Sequence, residues 1–234
     1  MAHTHHKSNQ VALVSTPWPL YNRPSIQLGA LKAYLEVNHP GLRIEARHFY
    51  LDLAQSLGYK LYHQISERTW LAESIYAALL FPQRFESVEA LFKREARAKP
   101  LVQEAGLQQI TDRVKERTDA YIDSLKWDDC LLAGFSISLC QLTSSLYFIK
   151  RVKQNYPDLI IGIGGSSFSG TVAENFFKLF PDIDLVVNGE GEKPLSQLID
   201  SLQASPALED LPRVSGVTTA KSAASGRGRP ALIK

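Results

Sequence analysis

The sequence predicts an α/β protein built on a parallel, doubly wound sheet, and three observations carry that expectation. Five short runs rich in Val, Ile, Leu and Phe are spread along the 234 residues, each apolar enough for a strand buried on both faces. Amphipathic helical segments separate most of them and stop at prolines. The composition, 44% hydrophobic and 21% charged, suits one sizeable core carrying an insert.

Taken in order, the predicted strands are VALVS (11–15), LRIEARHFYL (42–51), CLLAGFSIS (130–138), LIIGIGG (159–165) and DLVVNG (184–189). Helical spacing marks SIQLGALKAYLEVNHP, LTSSLYFIKRVKQNYP and TVAENFFKLFP, which end at Pro40, Pro157 and Pro181, and then LSQLIDSLQA. Crossover helices between successive strands give a five-stranded parallel sheet of order 2-1-3-4-5, a Rossmann-like arrangement of the flavodoxin-like kind. Residues 57–126 interrupt the rhythm and read as a helical insert. Trp70, Ile75 and Leu79 share one helical face there, as do Leu107, Ile110, Val114, Tyr121 and Leu125. The run KREARAK (93–99) reads as a solvated helix face. Residues 1–9 read as a disordered N-terminus, and residues 221–234, within TTAKSAASGRGRPALIK, as a linker or frayed tail, which leaves 10–220 as the folded domain.

Charge and composition exclude several function classes. A net charge of +2 with interleaved signs gives no footprint for nucleic acid. No apolar run approaches the roughly 20 residues of a membrane span, and MAHTHHKSNQ lacks the apolar centre of a signal peptide, so a cytoplasmic protein is expected. Cys130 and Cys140, the two cysteines, read as core residues of a reducing compartment. The six histidines enter no candidate site; His39 beside Pro40 reads as a helix end.

In an open parallel sheet, ligands bind beyond the carboxyl ends of the strands, and here those loops are unusual. After strand one, TPWPLYNRPSIQLG has three prolines and Trp18, either a wall against a large planar ligand or a residue packed on the sheet edge. After strand three, Ser136, Ser138, Gln141 and Thr143 crowd a helix N-terminus, where they can cap the helix or hold a phosphate or amide ligand. After strand four, Gly164, Gly165, Ser166 and Ser167 form a turn open to close approach; the spacing fits neither a dinucleotide fingerprint nor a Walker loop. After strand five comes NGEGEKPL. Gly189 and Gly191 relieve steric limits there. Glu190 and Glu192 either interact with the next helix's N-terminus or accept hydrogen bonds from ligand hydroxyls and amides.

In their order and spacing, VALVSTPWPLYNRPSIQLGALKAYL, AGFSISLCQ, IGIGGSSFSG and DLVVNGEGEKPL resemble the N-terminal cobalamin-binding domain of class B radical S-adenosylmethionine enzymes. The likeness is to the branch that matures ribosomally made peptides, and it covers residues 10–220. The resemblance implies that Pro17, Trp18, Pro19, Asn22, Ser25, Gln27 and Gly29 face the corrin. It implies that Ser136, Ser138, Gln141, Gly164, Gly165, Ser166, Gly189, Glu190, Gly191 and Glu192 hold the nucleotide tail and the ring's amide arms. The parent reaction it implies is peptide C-methylation.

Two features depart from the wider pattern. An Asp-x-His-x-x-Gly signature is missing, so cobalamin is expected to bind without a protein histidine on cobalt. A [4Fe-4S] cluster of that family needs three closely spaced cysteines, and this chain has two. The cluster and S-adenosylmethionine are therefore expected in a longer enzyme or a partner, with a radical SAM domain or precursor peptide as partners, and this chain alone is not expected to catalyse. Two further readings stay open: a non-catalytic interaction or sensor domain, and a nucleotide-sugar or dinucleotide enzyme. The second is disfavoured by the absence of a Gly-rich turn after strand one.

Overall fold

A computed structural model describes residues 9–166, 168, 172–205, 208 and 212–220. The expectations for residues 1–8 and 221–234, and for Ser167, fall outside the described residues. Among those described, no helix is long and apolar enough to cross a membrane.

Strands β1 (Gln10–Ser15), β2 (Arg43–His48), β3 (Cys130–Ser136), β4 (Ile161–Gly164), β5 (Leu185–Val187) and β6 (Val217–Thr219) form one sheet of order 2-1-3-4-5-6. The first five pair in parallel, as expected. The sixth corrects the strand count: it pairs antiparallel with β5, Val187 opposite Val217 and Leu185 opposite Thr219. Thr218 and Thr219 lie inside the expected domain, 10–220, at the start of the polar stretch TTAKSAASGRGRPALIK, where the sequence predicts no strand. A three-residue strand carries no periodicity to read, and the open edge of β5 is what orders it.

Helix α1 (Ile26–Asn38) covers one sheet face together with α9 (Glu192–Ala204). Leu28 and Leu35 of α1, and Leu195, Leu198, Ile199 and Leu202 of α9, bury against Val11, Leu13, Ile44, Leu132, Leu185 and Val187. The opposite face takes α7 (Leu142–Asn155), α8 (Val172–Leu179) and the insert. The insert comprises α2 (Phe49–Leu57), α3 (Tyr59–Ser66), α4 (Thr69–Leu80), a 3-10 turn at Pro82–Arg84, α5 (Phe85–Glu95) and α6 (Pro100–Asp123), which bends at Gly106.

Two boundaries differ from expectation. Strand β2 ends at His48, and Phe49, Tyr50, Leu53, Ala54 and Leu57 are buried at helical spacing, so the insert begins about eight residues earlier than its predicted start at 57. The apolar run that read as strand is the inner face of α2. Trp70 also departs from the expected inner face: it is 62% exposed at the start of α4, while Ile75 is fully buried. The stretch 93–99 is largely exposed, with Lys93 paired to Glu89 one turn away. Cys130 is buried and Cys140 half-buried, both free.

Candidate functional site

Between the α1–α9 pair and the sheet lies a cavity of about 570 Å³. Its floor is set by strand register. Gly134 is in register with Leu13 and with Gly162, and Gly162 with Leu185, so the row Leu13–Gly134–Gly162–Leu185 crosses four strands. Ser136, Gly164 and Val187 form the next row toward the carboxyl ends. Two adjacent glycines between leucines leave a trough, roofed by Leu28, Leu31 and Leu195. From Ser136 down to Leu132 is four strand steps, about 13 Å.

The glycines of the floor differ in tolerance. A Cβ on Gly134 would meet only Leu13 Cδ2 at 3.5 Å and Ala12 O at 4.0 Å, ordinary contacts. One on Gly162 would lie 2.7 Å from Leu185 Cδ1, which leans over that residue. Neither Gly134 nor Gly162 is among the residues that the sequence singled out. The available signal was a glycine inside an otherwise apolar strand, a mark of close approach by a ligand or a neighbouring chain.

Polar groups gather at the mouth: Gln27 from the first turn of α1, Ser136, Ser138, Ser166, Glu190 and Glu192. Gly165 has φ 137°, and a Cβ there would fall 1.9 Å from Ile137 O, so no side chain fits. Gly189 also has positive φ, 75°. Gly191 does not; it sits at the N-cap of α9 with φ −83°, and a Cβ would come 3.2 Å from Leu31 Cδ2. Glu192 lies in the first turn of α9, where the dipole favours a carboxylate. Glu190 is exposed, and neither carboxylate has a hydrogen-bond or ion-pair partner among the described residues. The described lining includes no Lys, Arg or His. This mouth is electronegative, a poor seat for a polyphosphate and a good one for hydroxyls and amides.

The loop after β3 is mostly occupied by its own bonds. Gln141, 2% exposed, donates from Nε2 to Ser15 Oγ (3.1 Å) and Thr16 O (2.6 Å), while its Oε1 accepts from Ser138 N–H (3.1 Å) and Oγ–H (2.6 Å). It braces the loop and does not line the cavity. Thr143 and the N-terminus of α7 are capped from the insert: Glu73 of α4 accepts from Leu142 N–H at 3.0 Å and from Thr143 N–H at 2.8 Å and Oγ–H at 2.6 Å. A carboxylate already satisfies the amides that a bound phosphate would use. Ser136 is left as the hydroxyl of that set facing the cavity without an internal bond among the described residues.

The loop after β1 turns away from the cavity. Trp18 is 2% exposed and packs on Tyr62 and Tyr76, ring centroids 5.0 and 6.2 Å away. Its backbone N–H donates to Cys140 O at 3.1 Å, Ser144 Oγ–H donates to Pro17 O, and Tyr62 O–H donates to Pro19 O at 2.9 Å. Trp18 is therefore neither an exposed wall nor a sheet-edge residue; it belongs to the core under the insert. Its partners are 44 and 58 residues downstream by number (62 − 18 and 76 − 18), beyond the reach of local pattern. Ser25 caps α1, accepting from Leu28 N–H at 3.3 Å. Asn22 and Gly29 are exposed and outside the lining; of the residues expected to face the ligand in this segment, Gln27 is the one that lines the cavity, beside Leu28 of the roof. Burial lowers the His48 imidazole pKa at the end of β2, and that ring does not line the cavity. His39, the C-cap of α1, bonds Ser196 Oγ at 2.8 Å and so ties α1 to α9 beside the slot.

No protein-family model matches the chain, and no curated protein matches it. A solved structure does: the radical S-adenosylmethionine methyltransferase TsrM from Kitasatospora setae with cobalamin and a [4Fe-4S] cluster bound is similar at TM-score 0.50 and 15% identity, over 91% of this chain. The same enzyme with tryptophan substrate and the analogue aza-SAM gives TM-score 0.48 at 15% identity, again over 91% of this chain. The chain spans 29% and 28% of the lengths of those structures. At that identity the likeness is one of fold.

Proposed function

We propose that this chain is a cobalamin-binding module of a radical SAM enzyme that methylates carbon in a peptide, with the cluster and S-adenosylmethionine held by other polypeptide. The observation that carries the reading is the slot: a glycine-floored, apolar trough beneath two helices, opening to hydroxyls, an amide and two free carboxylates, with no cation among the described lining residues. Cobalamin has matching parts. Its benzimidazole tail is flat and apolar, and its corrin carries amide arms that donate hydrogen bonds. Its single phosphodiester brings one negative charge to this mouth, where flavin mononucleotide or a dinucleotide would bring about two.

The fold likeness to cobalamin-bound TsrM supports the same reading. Leu13, Gly134, Gly162 and Leu185 would hold the tail, Ser136, Ser138 and Ser166 its ribose and phosphate, and Gln27, Glu190 and Glu192 the amide arms. Cobalt would be bound without a protein histidine. Residues 10–220 would be the module, with 1–9 and 221–234 flanking it.

The test is incubation with hydroxocobalamin, desalting, and a visible spectrum with cobalt stoichiometry. About one equivalent retained, with no histidine-ligated signature, is the expected result. No retention would return the interaction-domain reading to first place. The chain alone should not cleave S-adenosylmethionine reductively; cleavage would overturn the division of labour.

A further inference from the structure

Polar and apolar lining are segregated along the slot. Every polar side chain of the described lining lies at or beyond the end of β3 or in the first turn of a flanking helix. The deep part, Leu13, Leu28, Leu132, Leu185 and Leu195 around Gly134 and Gly162, offers no side-chain donor or acceptor. The strand backbone there is engaged in parallel pairing. A flat group seated at that depth finds contact on both faces and nothing to bond.

Resting on the cobalamin reading above, we infer that the slot selects among cobamides by their lower base, accepting a benzimidazole and rejecting a purine. The six-membered ring of dimethylbenzimidazole carries only C–H and methyl groups, and these gain from burial against leucine. Adenine brings an exocyclic amine and ring nitrogens that lose water and find no partner. An apolar pocket that cannot satisfy an added polar group discriminates against it by roughly 10–100-fold. Gly134 leaves open floor for the base, Gly162 lets Leu185 lean across the strand beside it, and the leucines decide the chemistry of the trough.

The experiment compares three ligands by equilibrium dialysis with visible detection: hydroxocobalamin, its adenine-base analogue, and cobinamide, which lacks the nucleotide tail. Cobalamin should bind at least tenfold more tightly than the adenine analogue, a difference of about 1.4 kcal/mol, and cobinamide should be weaker than cobalamin by more than that. In Gly134→Val, whose methyls occupy the trough, cobalamin should fall to the level of cobinamide, with the circular-dichroism spectrum unchanged. Cobalamin and its adenine analogue binding within threefold of each other would overturn the inference and leave the cofactor reading standing. Wild-type selectivity that survives Gly134→Val would overturn the assignment of selection to this slot. Failure of all three ligands to bind would sink the cofactor reading itself.

Discussion

Gly134 separates ligand binding from folding better than any other position in the slot. Its missing Cβ has room, 3.5 Å from the nearest side-chain atom, and β-branched residues suit strands. Gly134→Val should therefore keep its melting temperature and lose cobalamin. Gly165 behaves oppositely: at φ 137° with Ile137 O at 1.9 Å, Gly165→Ala should destabilise the fold by about 2 kcal/mol or more, read by urea unfolding. For the turn after β5, Gly191→Val should weaken cobalamin retention more than Glu190→Ala; equal losses would count against close approach. The structure alters the reason. Gly191 has an ordinary φ, so the obstacle is Leu31 in the slot roof, 3.2 Å from the added carbon. That the turn carries glycines was legible in sequence. Which of them is conformationally required was not, because φ depends on how β4 and β5 leave the sheet.

Among the elements, the insert is joined to the sheet by specific polar contacts as well as by packing. Glu73 caps α7 across the helix boundary, and Glu73→Ala should cost about 1–2 kcal/mol, seen as a lower melting temperature with α7 amides exchanging faster. Asp119 of α6 joins α7 through Arg151 at 2.8 Å and pairs with Lys115 at 2.9 Å. Burial raises the Asp119 carboxyl pKa, but the hydrogen bonds and charges of Lys115 and Arg151 outweigh it and hold it below the usual range. A pKa lowered on folding gives stability that is complete above about pH 4, the ordinary aspartate range, and fades as pH falls through the folded value. The stability gap between wild type and Asp119→Asn should therefore hold steady above about pH 5 and narrow as the pH falls below about 4; a constant gap would show that the carboxylate's charge is not what joins the helices. Helical periodicity announced the helices of the insert. It could not announce their partners, which lie 32 residues apart for Asp119 and Arg151 and 70 for Glu73 and Thr143.

For the whole molecule, the slot is a space between layers that the chain leaves unfilled, and a ligand that fills it should stabilise the folded state. At a free concentration a hundredfold above Kd, binding adds about 2.7 kcal/mol, which for a domain of this size raises the melting temperature by about 5–10 °C. Hydroxocobalamin should produce that shift in wild type and not in Gly134→Val. An equal shift in both would place the ligand elsewhere.

The sequence by itself determined the layered α/β architecture, the order of the first five strands and the helices that flank them, because burial on two faces and helical periodicity are written in local residue pattern. It also marked the end of the sheet where glycines, serines and the Glu190–Glu192 pair gather. Tertiary structure alone decided that Trp18 and Gln141 serve the interior, that Glu73 closes the α7 N-terminus, and that residues 217–219 extend the sheet. It alone set Gly134 beside Gly162 in one register row. Each of these depends on contacts between residues far apart in the chain, and a cavity is a property of the space between elements, which no single stretch of sequence contains.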